Sequence, residues 1–181
     1  SDNTIDIVNA AKLKFPNIIY FCWDSNQGPD VNFIKVVDLA SGEYCWLLGS
    51  DDGIEDNGIS YLLNKLADED IVLLNLKECN AKLEPFSHHE WVNSDKDIEV
   101  FDFSETGSLP DFFNKVNPLM GLFFGYISSI VVKRESWKRI PFDKSYIGTF
   151  YSFVYILFGI INNGPKLKYI KMPIVLNRGY N

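Results

Sequence analysis

Residues 44–48, Tyr-Cys-Trp-Leu-Leu, form an apolar run that stops within a few residues at Asp51-Asp52-Gly53. Such a run has no polar face, so it is expected as a short strand covered on both sides. Its carboxyl end must come to the surface, because two adjacent carboxylates follow. A strand that carries carboxylates out of its end can hold a hard cation or a ligand hydroxyl in a crevice. The same turn also has a purely structural reading, an acidic bend in which Gly53 supplies a positive φ.

The rest of the chain supplies what such a strand needs around it. With 181 residues, 46% of them hydrophobic and 15% aromatic, there is enough apolar material for one packed domain. The formal charge of -7 excludes a non-specific nucleic-acid binder, which needs clustered Lys and Arg. An anionic ligand would then require a local device such as a metal ion or a helix amino end. Cys22, Cys45 and Cys79 are odd in number and far apart, and are expected as buried reduced thiols in a cytosolic setting. No signal peptide is visible. Residues 145–165 are uncharged over nearly a membrane-spanning length, but the interspersed Ser, Thr, Asn and Gly point to a buried core helix.

In chain order, Thr4 is expected to cap a helix ending before Pro16, and residues 17–23 (NIIYFCW) read as a doubly buried strand. A helix over 30–40 then leads to the strand 44–48, a pattern that predicts a right-handed parallel crossover. A helix over 58–66 and a strand over 70–76 follow. Residues 77–97 read as a long polar loop, 99–103 as a strand, and 109–116 as a helix. An aromatic link spans 118–126. Residues 128–133 read as a strand, 134–139 as a turn or two of helix, and 146–161 as the long apolar helix. Residues 169–176, interrupted by Pro173, read as an edge strand or two pieces. No interdomain linker interrupts this order, so 1–181 reads as one domain, with halves at 1–76 and 77–181.

The Asp51-Asp52 pair is the strongest chemical signal. Neighbouring carboxylates on a tight turn cannot point the same way, so Asp52 can bind a divalent cation while Asp51 accepts from ligand hydroxyls. Asp2 and Asn3 form a second polar cluster if they too end a strand, and otherwise are a frayed terminus. Asn26, Gln27 and Gly28 make a third, where a turn alone explains Gly28. Arg178 is a candidate phosphate contact, with a surface arginine as the plain alternative. His88 and His89 are adjacent, without the spacing that brings two imidazoles together on a helix, and read as a solvated loop. No cysteine or serine has a local base, and no phosphate-binding or dinucleotide glycine motif is present.

Taken together, SDN, then N-x-G, then A-S-G-E-Y with an apolar strand and a D-D turn resemble the front half of family 2 glycosyltransferases of the GT-A fold. SSIVVKRESW and PIVLNRGYN are similar to its abequosyltransferase-like branch, which serves bacterial surface-polysaccharide synthesis. The resemblance implies an α/β fold with a Rossmann-like, mostly parallel sheet and flanking helices. It implies that this chain lacks the first βαβ unit of such enzymes. The implied activity is metal-dependent, inverting transfer from a nucleotide-diphospho-sugar donor to a glycan or lipid-linked acceptor, at the cytoplasmic face of a membrane. By motif, Asp2 would contact the base, Asp51 the ribose or sugar, and Asp52 a Mg²⁺ or Mn²⁺ that holds the diphosphate.

Departures from the pattern are visible. The usual D-x-D-D turn reads Gly49-Ser50-Asp51-Asp52, without the first carboxylate. The loop after SDN is short, with Thr4 and Asp6 roughly where a Ser and an Asp would stand. The later acidic pair that supplies the base is missing, which leaves Asp143 as the candidate catalytic base. A catalytically inactive nucleotide-sugar or glycan-binding module is therefore the rival expectation. A second rival is a phosphatase-like or receiver-like domain, which no suitably spaced nucleophilic Asp supports.

Overall fold

A computed structural model of the protein describes residues 3–118 and 124–179. Its elements run α1 (Thr4–Lys12), α2 (Gly28–Leu39), β1 (Tyr44–Trp46), β2 (Gly53–Ile54), α3 (Gly58–Leu63), β3 (Ile71–Cys79), β4 (Pro85–His89), β5 (Ile98–Asp102), α4 (Ser108–Lys115), β6 (Ile130–Lys133), α5 (Arg134–Lys138), α6 (Ser152–Ile161) and β7 (Lys166–Arg178).

The strands form one mixed sheet in the order β1-β6-β3-β7-β2, with β4 added to β3 and β5 to β7. Among the described residues only β3 and β7 pair in parallel; the other ladders are antiparallel. The α/β character and flanking helices are as expected, while the sheet departs from mostly parallel. Part of the cause lies in residues 17–23, which form no strand and join no ladder, leaving Ile19 and Phe21 exposed. The parallel crossover expected between this run and β1 is therefore not formed. Apolar content makes a strand possible, but only a neighbouring strand makes it real.

The core is centred on β3, whose residues Ile71 to Leu74 are wholly buried. One face of α6 adds Phe153, Ile156, Leu157 and Ile160, each contributing about 1.5–3 kcal/mol by leaving water. This helix is shorter than expected because Gly148 and Phe150 adopt positive φ (92° and 66°), which stops it from extending towards residue 146. No helix among the described residues is long and apolar enough to cross a membrane.

Two further corrections come from pairing that a linear pattern hides. Residues 77–97 are not a loop: β3 continues to Cys79 and turns back as β4, with Lys77 opposite His88. β7 is not an edge strand, being flanked by β3 on one side and by β5 and β2 on the other. Pro173 is tolerated there because the β3·β7 register shifts between Leu74 and Leu76, so no ladder bond is required of it. All three cysteines are free; Cys45 and Cys79 are buried as expected, but Cys22 is exposed because its run joins no ladder.

Candidate active site

The acidic turn leaves β1 and enters β2 with Asp51 exposed and Asp52 half-buried. Asp52 is held from distant parts of the chain. Its Oδ2 accepts from the Ser128 hydroxyl at 2.5 Å, and its Oδ1 accepts from the Arg178 backbone N–H at 3.3 Å. Ser128 is itself fully buried and fixed: its Oγ accepts from Gly49 N–H at 2.8 Å, and its carbonyl accepts from the Trp46 indole at 2.8 Å. The result is a clasp in which β1, the turn and the start of β6 set one carboxylate orientation.

The Tyr126 hydroxyl is buried nearby and makes no hydrogen bond of good geometry among the described residues. Burial, followed by the neighbouring Asp52 charge, pushes its pKa well above the ordinary phenol value. It therefore stays protonated and keeps its hydrogen to donate.

Gly49 explains how the turn does without its first carboxylate. A Cβ placed there would lie 2.7 Å from Asp52 Oδ2, 3.2 Å from Asp51 Oδ1 and 3.3 Å from Ser128 Oγ. The Ser128 hydroxyl and the Asp52 carboxylate occupy the space a side chain at 49 would need. Gly49→Ala is accordingly expected to swing Asp52 out of the clasp and to weaken any Mn²⁺-dependent ligand binding by roughly tenfold or more. Isothermal titration with Mn²⁺ and a nucleoside diphosphate checks this. The backbone at 49 is not in the left-handed region, so the fold should persist.

The other predicted residues are placed as follows. Asp2 lies outside the described residues. Asn3 precedes α1, is exposed, and gives its carbonyl to Ile7 N–H without a side-chain cap. Asn26 accepts from Gly28 N–H at 2.8 Å, an Asx turn that opens α2, and Gly28 has the positive φ expected of a turn glycine. Gly53, by contrast, has no positive φ; it begins β2, where Leu83 would meet a Cβ at 3.1 Å. Arg178 is exposed and reaches Asp52 through its backbone. Asp143 accepts from Ser145 N–H at 2.9 Å as the cap of a 3₁₀ turn, a bond that holds its carboxyl below the usual range. No hydrogen bond or ion pair among the described residues joins it to the Asp51-Asp52 turn. His89 pairs with Glu78 at 2.7 Å rather than with His88.

Sequence reasoning missed Ser128 and Gly49. The signal for the first was a pair of serines immediately before an apolar strand, a place where small buried hydroxyls need partners.

The Glycosyl transferase family 2 profile matches residues 1–139, and the chain belongs to that family, whose fold is GT-A. It is 36% identical to the abequosyltransferase RfbV of Salmonella typhimurium over 187 aligned positions, covering 100% of this chain and 55% of that protein. It is also 31% identical over 101 residues to a poly(ribitol-phosphate) beta-glucosyltransferase of Bacillus spizizenii, covering 54% of this chain and 16% of that one. An uncharacterized glycosyltransferase of Mycoplasma pneumoniae is 29% identical over 105 residues, covering 35% of its length. The chain thus spans little more than half of the first relative and less of the others.

Proposed function

We propose that the chain belongs to an enzyme that transfers a sugar from a nucleotide-diphospho-sugar to a glycan or lipid-linked saccharide in bacterial surface-polysaccharide synthesis. The observation that carries this reading is the clasped Asp52 at the end of β1 in a family 2 chain. A carboxylate pinned by a buried serine and a backbone N–H is pre-aimed and need not reorganise when ligand arrives.

Asp52 would hold Mg²⁺ or Mn²⁺. The donor set fits: carboxylate oxygens suit hard cations, and such ions are commonly shared between a carboxylate or two and substrate phosphates. Among the described residues no group of three or more His, Cys, Asp or Glu could form an all-protein cage, which agrees with that shared mode. When bound, the ion supplies charge neutralisation for the departing diphosphate. Asp51, exposed beside it, is suited to accept from ribose or sugar hydroxyls; by the family motif Asp2, Asn3 and Asn26 would contact the nucleotide and Arg178 the phosphate.

Inverting transfer needs a base at the acceptor hydroxyl, for which Asp143 is the candidate. Its depressed pKa makes it a weak base in the free state. The exposed Tyr146, Ile147, Phe150 and Tyr151 beside it are suited to touch a lipid-linked acceptor at a membrane surface.

The test is a thermal-shift panel of nucleoside diphosphates with and without Mn²⁺ on the protein and on Asp52→Ala. A Mn²⁺-dependent rise in Tm that the variant lacks is expected. Absence of a response to every nucleotide would overturn the reading. Nucleotide binding without donor hydrolysis or transfer would instead identify a glycan-assembly binding module.

A further inference from the structure

On the part of the sheet formed by β3, β4 and β7 lies a cavity of about 580 Å³ that none of the roles above uses. This volume falls within the range of small-molecule sites. Its apolar part is Phe86, 63% exposed, with Met172, 43% exposed, and Pro173. A large aromatic ring presented to solvent on a paired strand is a stacking platform, not a core residue.

The polar rim is charge-balanced: Lys77 and Lys171 face Glu90 and Asp97. A phosphate site would show unopposed cations, whereas this rim favours a neutral ligand rich in hydroxyls. Its groups also retain bonding capacity. Glu90 stands 3.8 Å from both Lys171 and His88, beyond hydrogen-bond reach, so its oxygens are available to donors. Lys77 Nζ is anchored on Glu55 at 2.5 Å and Lys171 Nζ on the Ser94 carbonyl at 2.8 Å, which fixes both ammonium groups while leaving protons to give. An apolar face with alternating donors and acceptors around it matches a pyranose ring.

The location ties the cavity to the reaction. Lys77 pairs with Leu176 in the β3·β7 ladder, two residues before Arg178, whose N–H binds Asp52. Two strand residues span about 7 Å. Glu55, which anchors Lys77, follows Asp52 by only three positions. Met172 lies six positions before Arg178, at most about 20 Å along the strand, so it takes a saccharide of several sugar units to reach from the Asp52 turn along β7 into the cavity.

We infer that the cavity around Phe86, Glu90 and Lys171 is a saccharide subsite that holds a neutral sugar residue of the acceptor. The inference rests on the transfer reading above, and its test keeps the two apart. Amide NMR titrations of the 181-residue protein are run separately with the methyl glycosides of glucose, galactose, mannose and rhamnose, with inorganic phosphate, and with UDP plus Mn²⁺. At least one glycoside is expected to shift residues 86–90 and 171–173 saturably, and phosphate to leave them unmoved. Phe86→Ala and Glu90→Gln should each weaken that binding by at least about fivefold, with UDP shifts near residues 49–53 unchanged. Silence of the cavity towards every glycoside while UDP still binds would overturn the subsite and leave the transfer reading standing. A cavity that answers to phosphate instead would overturn it too. Glycoside binding without any nucleotide response would uphold the subsite and remove the transferase.

Discussion

Asp52→Asn should leave the fold intact and remove metal-dependent turnover. The amide has nearly the shape of the carboxylate, and one oxygen can still accept from the Ser128 hydroxyl or the Arg178 N–H. What it loses is the charge that would hold Mg²⁺ or Mn²⁺ against a diphosphate. Lewis-acid help of this kind is worth several kcal/mol, so turnover should fall by on the order of a thousandfold. Tm without ligand should move by less than about 4 °C, the equivalent of about 1 kcal/mol for a chain of this size. Donor hydrolysis at saturating Mn²⁺, measured beside an unliganded melt, separates the outcomes. Activity within tenfold of the parent would mean that the turn is only structural.

Asp30→Ala is expected to act the other way, on stability. Asp30 is 1% exposed in the first turn of α2, and its carboxylate accepts from three backbone N–H groups: Gly148 at 2.8 Å, Phe150 at 3.1 Å and Ser152 at 3.0 Å. These donors open α6, so the charge also complements that helix's amino end. Removing it strands the buried Ser152 N–H at about 1–3 kcal/mol and two part-buried N–H groups at less each. A total loss of about 3 kcal/mol corresponds to a Tm drop of roughly 6–12 °C, readable by calorimetry.

The pH dependence follows from the same bonds. Burial pushes the Asp30 carboxyl up, the three N–H groups pull it down, and the net displacement is downward. A group with a depressed folded pKa contributes stability above its unfolded value, about 3.9, and loses it as pH falls through the folded value. The Tm gap between the protein and Asp30→Ala should thus be full near neutrality and narrow below about pH 4. A gap that is unchanged at pH 3 would mean that the carboxylate's charge contributes nothing.

Local chemistry in the sequence located the elements that act alone. Thr4 to Lys12, the 108–115 helix and the apolar 71–76 strand all formed close to their expected bounds, because helical spacing and continuous burial are local signals. The Asp51-Asp52 turn was legible for the same reason. Residues 17–23 were not, since strand formation depends on a neighbour and not on the run itself. Nor was the central place of β7, because Pro173 looks like a strand breaker until the register shift opposite it is known. Ser128 lies 76 positions from the carboxylate it fixes, beyond the reach of any motif. Asp30 read as an ordinary helix-start acid, and only the tertiary fold gives it three donors.

The clasp on Asp52 also sets an order of events during synthesis. One oxygen waits for residue 128 and the other for residue 178, at the end of β7, while β3 itself must wait for β7 to fill its parallel side. Pairings this distant in sequence form late, after the local helices and hairpins. A chain still emerging from the ribosome therefore displays its two acidic residues unaligned. The orientation of Asp52 is complete only once β7 has docked.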